Sequence, residues 1–130
     1  ASGDPEFTAA GAYGVRLRGV EVDQVVEADT ELSFEQGRIR LLHTPGHTPG
    51  SLAAVYESGE EVVLFGQDIH GPFSPAFGSD LAAWEHSMHR LLELDADILC
   101  EGHFGIFRPA RAVRRFIQEH LDSPKTMIHL

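Results

Sequence analysis

Between two apolar runs, Ile39-Arg40-Leu41-Leu42 and Leu52-Ala53-Ala54-Val55-Tyr56, lies the stretch His43-Thr44-Pro45-Gly46-His47-Thr48-Pro49-Gly50-Ser51. Two prolines and two glycines within eight residues cannot continue a strand, so the stretch reads as a rigid loop that holds His47 at a strand end. For a lone His-Pro-Gly the plainer reading is a histidine that merely caps the strand. Here the pattern recurs. Val62-Val63-Leu64-Phe65 runs into Gly66-Gln67-Asp68-Ile69-His70, and Ile98-Leu99-Cys100 runs into Glu101-Gly102-His103-Phe104-Gly105. Three strand-like runs each deliver a His or Asp beside a glycine at their C-terminal ends, which is how a hard or borderline metal is gathered at a sheet edge.

In their order and approximate spacing, His43 to Ser51, Gly66 to Asp68 and Gly102-His103 resemble the later motifs of the metallo-β-lactamase-fold hydrolases, especially the hydroxyacylglutathione hydrolase (glyoxalase II)-like branch. The first motif is specific; the other two gain weight from their order. The resemblance implies that His47 binds one metal, Asp68 bridges two and His103 binds the other. It implies zinc, with iron or manganese tolerated, and hydrolysis of a thioester or related ester by a metal-activated water. It also implies an αββα sandwich, of which this chain supplies an α+β half: a mostly antiparallel sheet with helices on one face.

The departure from that family lies in its signature His-x-His-x-Asp-His, which none of the eight histidines forms. The nearest pair, His86-Ser87-Met88-His89, falls in a helical stretch. Residues 20–130 therefore read as the C-terminal half of such a domain, and residues 1–19 as an extended segment or linker. The opening residues 1–7 read as native linker or as the translation of a cloning junction. The isolated chain is expected to be inactive. A second reading, from a different class, is a non-catalytic half-domain that binds its missing half or a second copy of itself. His70, Glu101 and His43 are candidates for orienting the ligating imidazoles, with a bystander role the plainer reading of each. Phe73, Phe77, Phe104 and Phe107 either line a cleft or, more plainly, pack as core.

Composition bounds the partners. A formal charge of −10 over 130 residues argues against a nucleic-acid backbone. Arg111, Arg114 and Arg115 interleave with Val113, Phe116 and Ile117 and read as the solvated face of an amphipathic helix. No apolar run reaches membrane-span length and no basic n-region with an apolar core opens the chain, so neither a membrane nor export is expected and the cytoplasm is the default. Cys100 is the single cysteine, which excludes an internal disulfide and reads as a small buried hydrophobe.

The elements follow from periodicity. Val20, Val22 and Val25 alternate with polar residues as in a strand. Runs at 31–34 and 38–42 flank Gln36-Gly37, and runs at 52–56 and 62–65 flank Ser58-Gly59, two hairpin signals. Asp68 to Gly78 is a Gly- and Pro-rich loop. Leu81, Trp84, Met88, Leu91 and Leu92 set a helix capped by Ser79 or Asp80 and closed at Leu94. A short strand at Ile98–Cys100 precedes a last helix from Pro109 through Leu121. Leu41, Leu52, Ala54, Val63 and Phe65 alternate so that one set must face helices and another the absent sheet.

Overall fold

The computed structural model describes residue 10, residues 13–35 and residues 37–129. Residues 1–7 and Gln36 of the first hairpin signal lie outside the described residues. From Thr30 the chain forms one six-stranded sheet with its strands in sequence order. The strands are β1 (Thr30–Phe34), β2 (Gly37–His43), β3 (Leu52–Ser58), β4 (Glu61–Gln67), β5 (Ile98–Glu101) and β6 (Gly105–Phe107). All neighbours pair antiparallel except β4 and β5, which run parallel. A parallel pair needs a crossover, and helix α1 (Leu81–Glu93) supplies it. Helix α2 (Ala110–Asp122) follows β6.

Both helices cover one face of the sheet. Leu42, Ala53, Val55, Leu64 and Leu99 point to that face and are buried with Trp84, Met88 and Leu91 of α1 and Val113, Phe116 and Ile117 of α2. The register assigns the opposite face. Leu41 pairs with Ala54, Ala54 with Phe65, Phe65 with Cys100 and Cys100 with Ile106, an apolar row that crosses five strands. A second row joins Leu32, Ile39, Tyr56, Val63 and Ile98. These side chains are half-buried or exposed, with Phe65 at 43% and Ile106 at 70%. All five residues in which the sequence suggested two alternating sets, Leu41, Leu52, Ala54, Val63 and Phe65, thus lie on the face away from the helices. The helix-facing set is their neighbours.

Helix α1 starts where its cap dictates. The Asp80 carboxylate accepts the Ala83 amide, and Leu94 closes α1. Pro109 is the residue before α2, one position earlier than its expected place inside the helix. Arg111, Arg114 and Arg115 lie on the exposed face of α2, Arg114 paired with Asp95 at 2.9 Å. One expectation is corrected. The alternation at Val20, Val22 and Val25 makes no strand; the stretch runs irregularly to Thr30 with these valines 62%, 49% and 71% exposed. Alternation only proposes a strand, and a ladder and a covered face must complete it. Strand β6, by contrast, has no counterpart in the sequence pattern. Its three residues are too few for a periodic signal, and it is recruited by pairing of Leu99 with Phe107.

No helix among the described residues is long and apolar enough to cross a membrane. Because the core lies on one face only, Leu99→Ala should cost about 3 kcal/mol in urea unfolding, and Ile106→Ala roughly 0.5 kcal/mol or less.

Candidate metal centre

The loop from His43 to Ser51 is fixed at nearly every polar atom. Thr44 N–H donates to Ser51 O, closing the loop at its base, and the Thr48 amide donates to Ser51 Oγ. His43 donates from Nε2 to Pro49 O at 2.8 Å, so the first histidine of the motif ties the two ends of its own loop. Helix α1 holds the other side. Ser87 Oγ donates to Pro45 O, Asp80 N to Gly46 O, and Arg90 to His43 O, while Arg90 also pairs with Asp29 at 2.6 Å. Asp29 in turn accepts the His43 amide. Burial raises the Asp29 carboxyl pKa, but that amide and the Arg90 guanidinium outweigh it and hold the carboxyl below its ordinary range.

Gly46 is required twice. Its φ of +146° is strained for any side chain, and an added Cβ would lie 2.3 Å from the Trp84 Cα. The loop backbone rests directly on α1.

From this base His47 reaches the end of β4. Its Nδ1 lies 2.6 Å from Pro72 O, which can only accept, so the proton is on Nδ1. In the neutral ring Nε2 is then a bare lone pair, and it faces Asp68 Oδ2 at 3.7 Å. The other Asp68 oxygen meets His103 Nε2 at 3.1 Å. The three residues singled out from the sequence are therefore brought to one place from three separate strand ends. His47 is mostly buried, its side chain 17% exposed, whereas His103 is 63% exposed. Gly102 makes the approach possible, since a Cβ there would sit 2.8 Å from Asp68 Oδ1. Gln67 holds a positive φ of 51° at a register shift in the ladder, and this turns the chain so that Asp68 leaves the strand toward His103.

The donor chemistry fits a borderline divalent metal. Imidazole with carboxylate is a zinc or iron ligand set. As they stand the two imidazoles lean on one carboxylate. Among the described residues no group of three or more His, Cys, Asp or Glu side chains is spaced to hold an ion.

Two residues weighed as bystanders turn out to be coupled. His70 Nδ1 lies 2.6 Å from Glu101 Oε1, and Glu101 Oε2 accepts the amides of His103 and Phe104 at 2.7 and 2.8 Å. Burial raises the Glu101 carboxyl pKa, but those two amides and His70 more than offset it and keep the carboxyl below its ordinary range. The sequence signal was the placement of Glu101 directly before Gly102-His103. Of the four phenylalanines, Phe73 is core and Phe104 is 60% exposed beside the site. His47 and Asp68 help line a cavity of about 250 Å³, together with Thr44, Ser87, Trp84 and Met88.

This six-stranded sheet with its two helices matches part of a metallo-beta-lactamase fold. The chain is 24% identical over 115 residues to the metallo-beta-lactamase fold-containing protein ST1585 of Sulfurisphaera tokodaii, a match that spans 84% of the chain and 42% of that protein. The crystal structure of ST1585, described as an archaeal metallo-beta-lactamase superfamily protein, superposes with a TM-score of 0.62 at 21% identity over 92% of this chain and 50% of that one. The B3 metallo-beta-lactamase BLEG-1 gives a TM-score of 0.65 at 23% identity, over 88% of this chain and 54% of that one. TTHA1623, solved in a di-iron-bound form, gives 0.59 at 27% identity, over 77% and 50%. No family profile matches the chain. The chain spans about half the length of these relatives.

The seating of the loop on α1 makes Gly46→Ala the most damaging small substitution in the site. It should cost ~3 kcal/mol or more in denaturant unfolding, against ~1 kcal/mol for Gly59→Ala, which shares the left-handed backbone but faces open space.

Proposed function

We propose that this chain is the C-terminal half of a binuclear metal-dependent hydrolase acting on a thioester or related carboxylic ester. The observation that carries the reading is the meeting of His47 and His103 on the two oxygens of Asp68, with the His47 Nε2 lone pair aimed at that carboxylate. In this reading His47 and His103 serve one metal each and Asp68 serves both, having one oxygen for each side. Zinc is the proposed metal; the di-iron form of TTHA1623 supports iron as an alternative. Bound metal would supply an activated water and a Lewis acid for the substrate carbonyl. The chain's own residues do the holding. Pro72 O fixes the His47 tautomer, the loop bonds to α1 keep that ring in place, and Gly102 clears the space Asp68 occupies.

Three donors are too few for two metals, and the remaining ligands are assigned to a His-x-His-x-Asp-His segment in a preceding half. The relatives' lengths support this assignment, since each carries roughly another such length of chain. Purified chain with added zinc should therefore hydrolyse model thioesters at background rate. Joined to an upstream segment bearing that motif, it should gain chelator-sensitive turnover that His47→Ala, Asp68→Ala and His103→Ala each return to background. Turnover that survives all three substitutions would overturn the reading.

The second reading, a half-domain whose activity is association, is favoured by the sheet face that carries Leu41, Ala54, Phe65, Cys100 and Ile106. An apolar face that crosses five strands is rarely left to water. Its proposed partner is the missing half or, without it, a second copy of the chain. Sedimentation at micromolar concentration should show a dimer or larger species that Phe65→Glu with Ile106→Glu converts to monomer. A clean monomer of the unsubstituted chain that binds no hydrophobic dye is the result that would exclude it.

A further inference from the structure

We infer that Glu101 and His70 form a positioning pair that fixes the ring of His103. The inference rests on the metallohydrolase reading only for the purpose the positioning serves.

Glu101 ends β5 with its side chain wholly buried, 0% exposed. A carboxylate so placed is costly unless every lone pair direction finds a donor. Three donors converge on it, His70 Nδ1–H at 2.6 Å and the backbone amides of His103 and Phe104 at 2.7 and 2.8 Å. An apolar residue would end the strand without that cost. What the carboxylate adds is control of two separate pieces of chain, the turn that carries His103 and the imidazole two residues beyond Asp68.

The second piece bears on the first. His103 is largely exposed, and an exposed imidazole is held only by what stands beside it. Beside it stands the ring of His70, edge-on at 5.2 Å between centroids and 76° between planes. The same ring meets Phe104 edge-on at 4.8 Å. Phe104 in turn rests against Phe116 and His120 of α2, at 6.0 and 6.3 Å, so the wall is backed by the helix. The orientation of His70 is set by its bond to Glu101. Glu101 therefore acts on His103 twice, through the backbone of its turn and through the ring that flanks it, and Nε2 is left facing Asp68 Oδ1.

The test uses the chain without metal and then with zinc. Above the histidine titration range, nitrogen-edited imidazole spectra of the unsubstituted chain should show His70 protonated at Nδ1 and close proton contacts between the His70 and His103 rings. In Glu101→Gln the amide oxygen can still cap the two backbone amides, while the amide NH₂ faces His70. The His70 proton should then move to Nε2 and its contacts with His103 should weaken, with amide dispersion elsewhere retained. His70→Asn, which keeps a donor for Glu101 and removes the ring, should preserve the His103 and Phe104 amide shifts yet free the His103 ring, and it serves alone if Glu101→Gln does not fold. Zinc affinity, read by competition with a chromophoric chelator, should fall roughly 10- to 100-fold in both variants. His103 ring signals unchanged in both variants, or zinc bound by the variants as tightly as by the unsubstituted chain, would overturn the positioning pair. Ring signals that change as expected while zinc binds none of the three proteins would sustain the pair and count against the metal reading.

Discussion

The contact between the Gly46 backbone and Trp84 is the constraint on which the rest of the architecture hangs. A loop that ends two strands normally runs over a surface; this one is pressed into the first turn of α1, with no room for a single methyl group between them. The same contact bears on core and site at once. Trp84 packs its ring on Phe73 and donates its Nε1–H to Ile69 O, so the residue against which the loop rests also holds the chain just after Asp68. Lys125 lies over the tryptophan ring, 5.0 Å from its centroid, and Ile128 N bonds Phe73 O, which ties residues 125–128 to the same cluster. A tryptophan at the start of the helix thus couples the His47 loop, the Asp68 loop and residues 125–128.

Where the site sits in the sheet follows from topology. An antiparallel meander places successive strand ends at alternate edges, and the β4–α1–β5 crossover breaks that alternation. It makes two neighbouring strands end at the same edge, which sets Asp68 beside the turn of His103. Strand β2 also ends there, because it runs parallel to β4 with one strand between them. The meander alone brings the ends of β2 and β4 to one side of the sheet, and the crossover adds the end of β5 directly beside that of β4.

Much of this was legible in the residues. The Pro-Gly framing of His47, the glycines beside Asp68 and His103, the second hairpin and the Asp80 cap of α1 are local signals, fixed by backbone sterics and by the few side chains that satisfy helix ends. What escaped the sequence was set by partners distant along the chain. Arg90 reaches His43 across 47 residues and Asp29 across 61, and no local pattern announces such a contact. The Glu101–His70 pair spans 31 residues in the same way. Strand β6 exists because β5 offers it an edge. The alternation of Val20, Val22 and Val25 erred in the other direction, being a local signal without a ladder to complete it. Sheet polarity was half legible: periodicity showed that two faces alternate, but only the pairing register showed which one the helices take.

The parallel pair also bears on how the molecule comes together. The hairpins β1–β2 and β3–β4 close loops of a few residues and can form from neighbouring sequence alone, whereas Asp68 and His103 meet only after the intervening helix has docked and β5 has found β4. Loop closure over that distance costs more entropy before any contact repays it, so chains dominated by such pairings reach them later. The edge that gathers His47, Asp68 and His103 is therefore among the last parts of the sheet to be completed. Until then the β5–β6 hairpin has no sheet to join, and in that interval the exposed outer edge of β4 is the place where a nascent chain is most open to pairing with the wrong one.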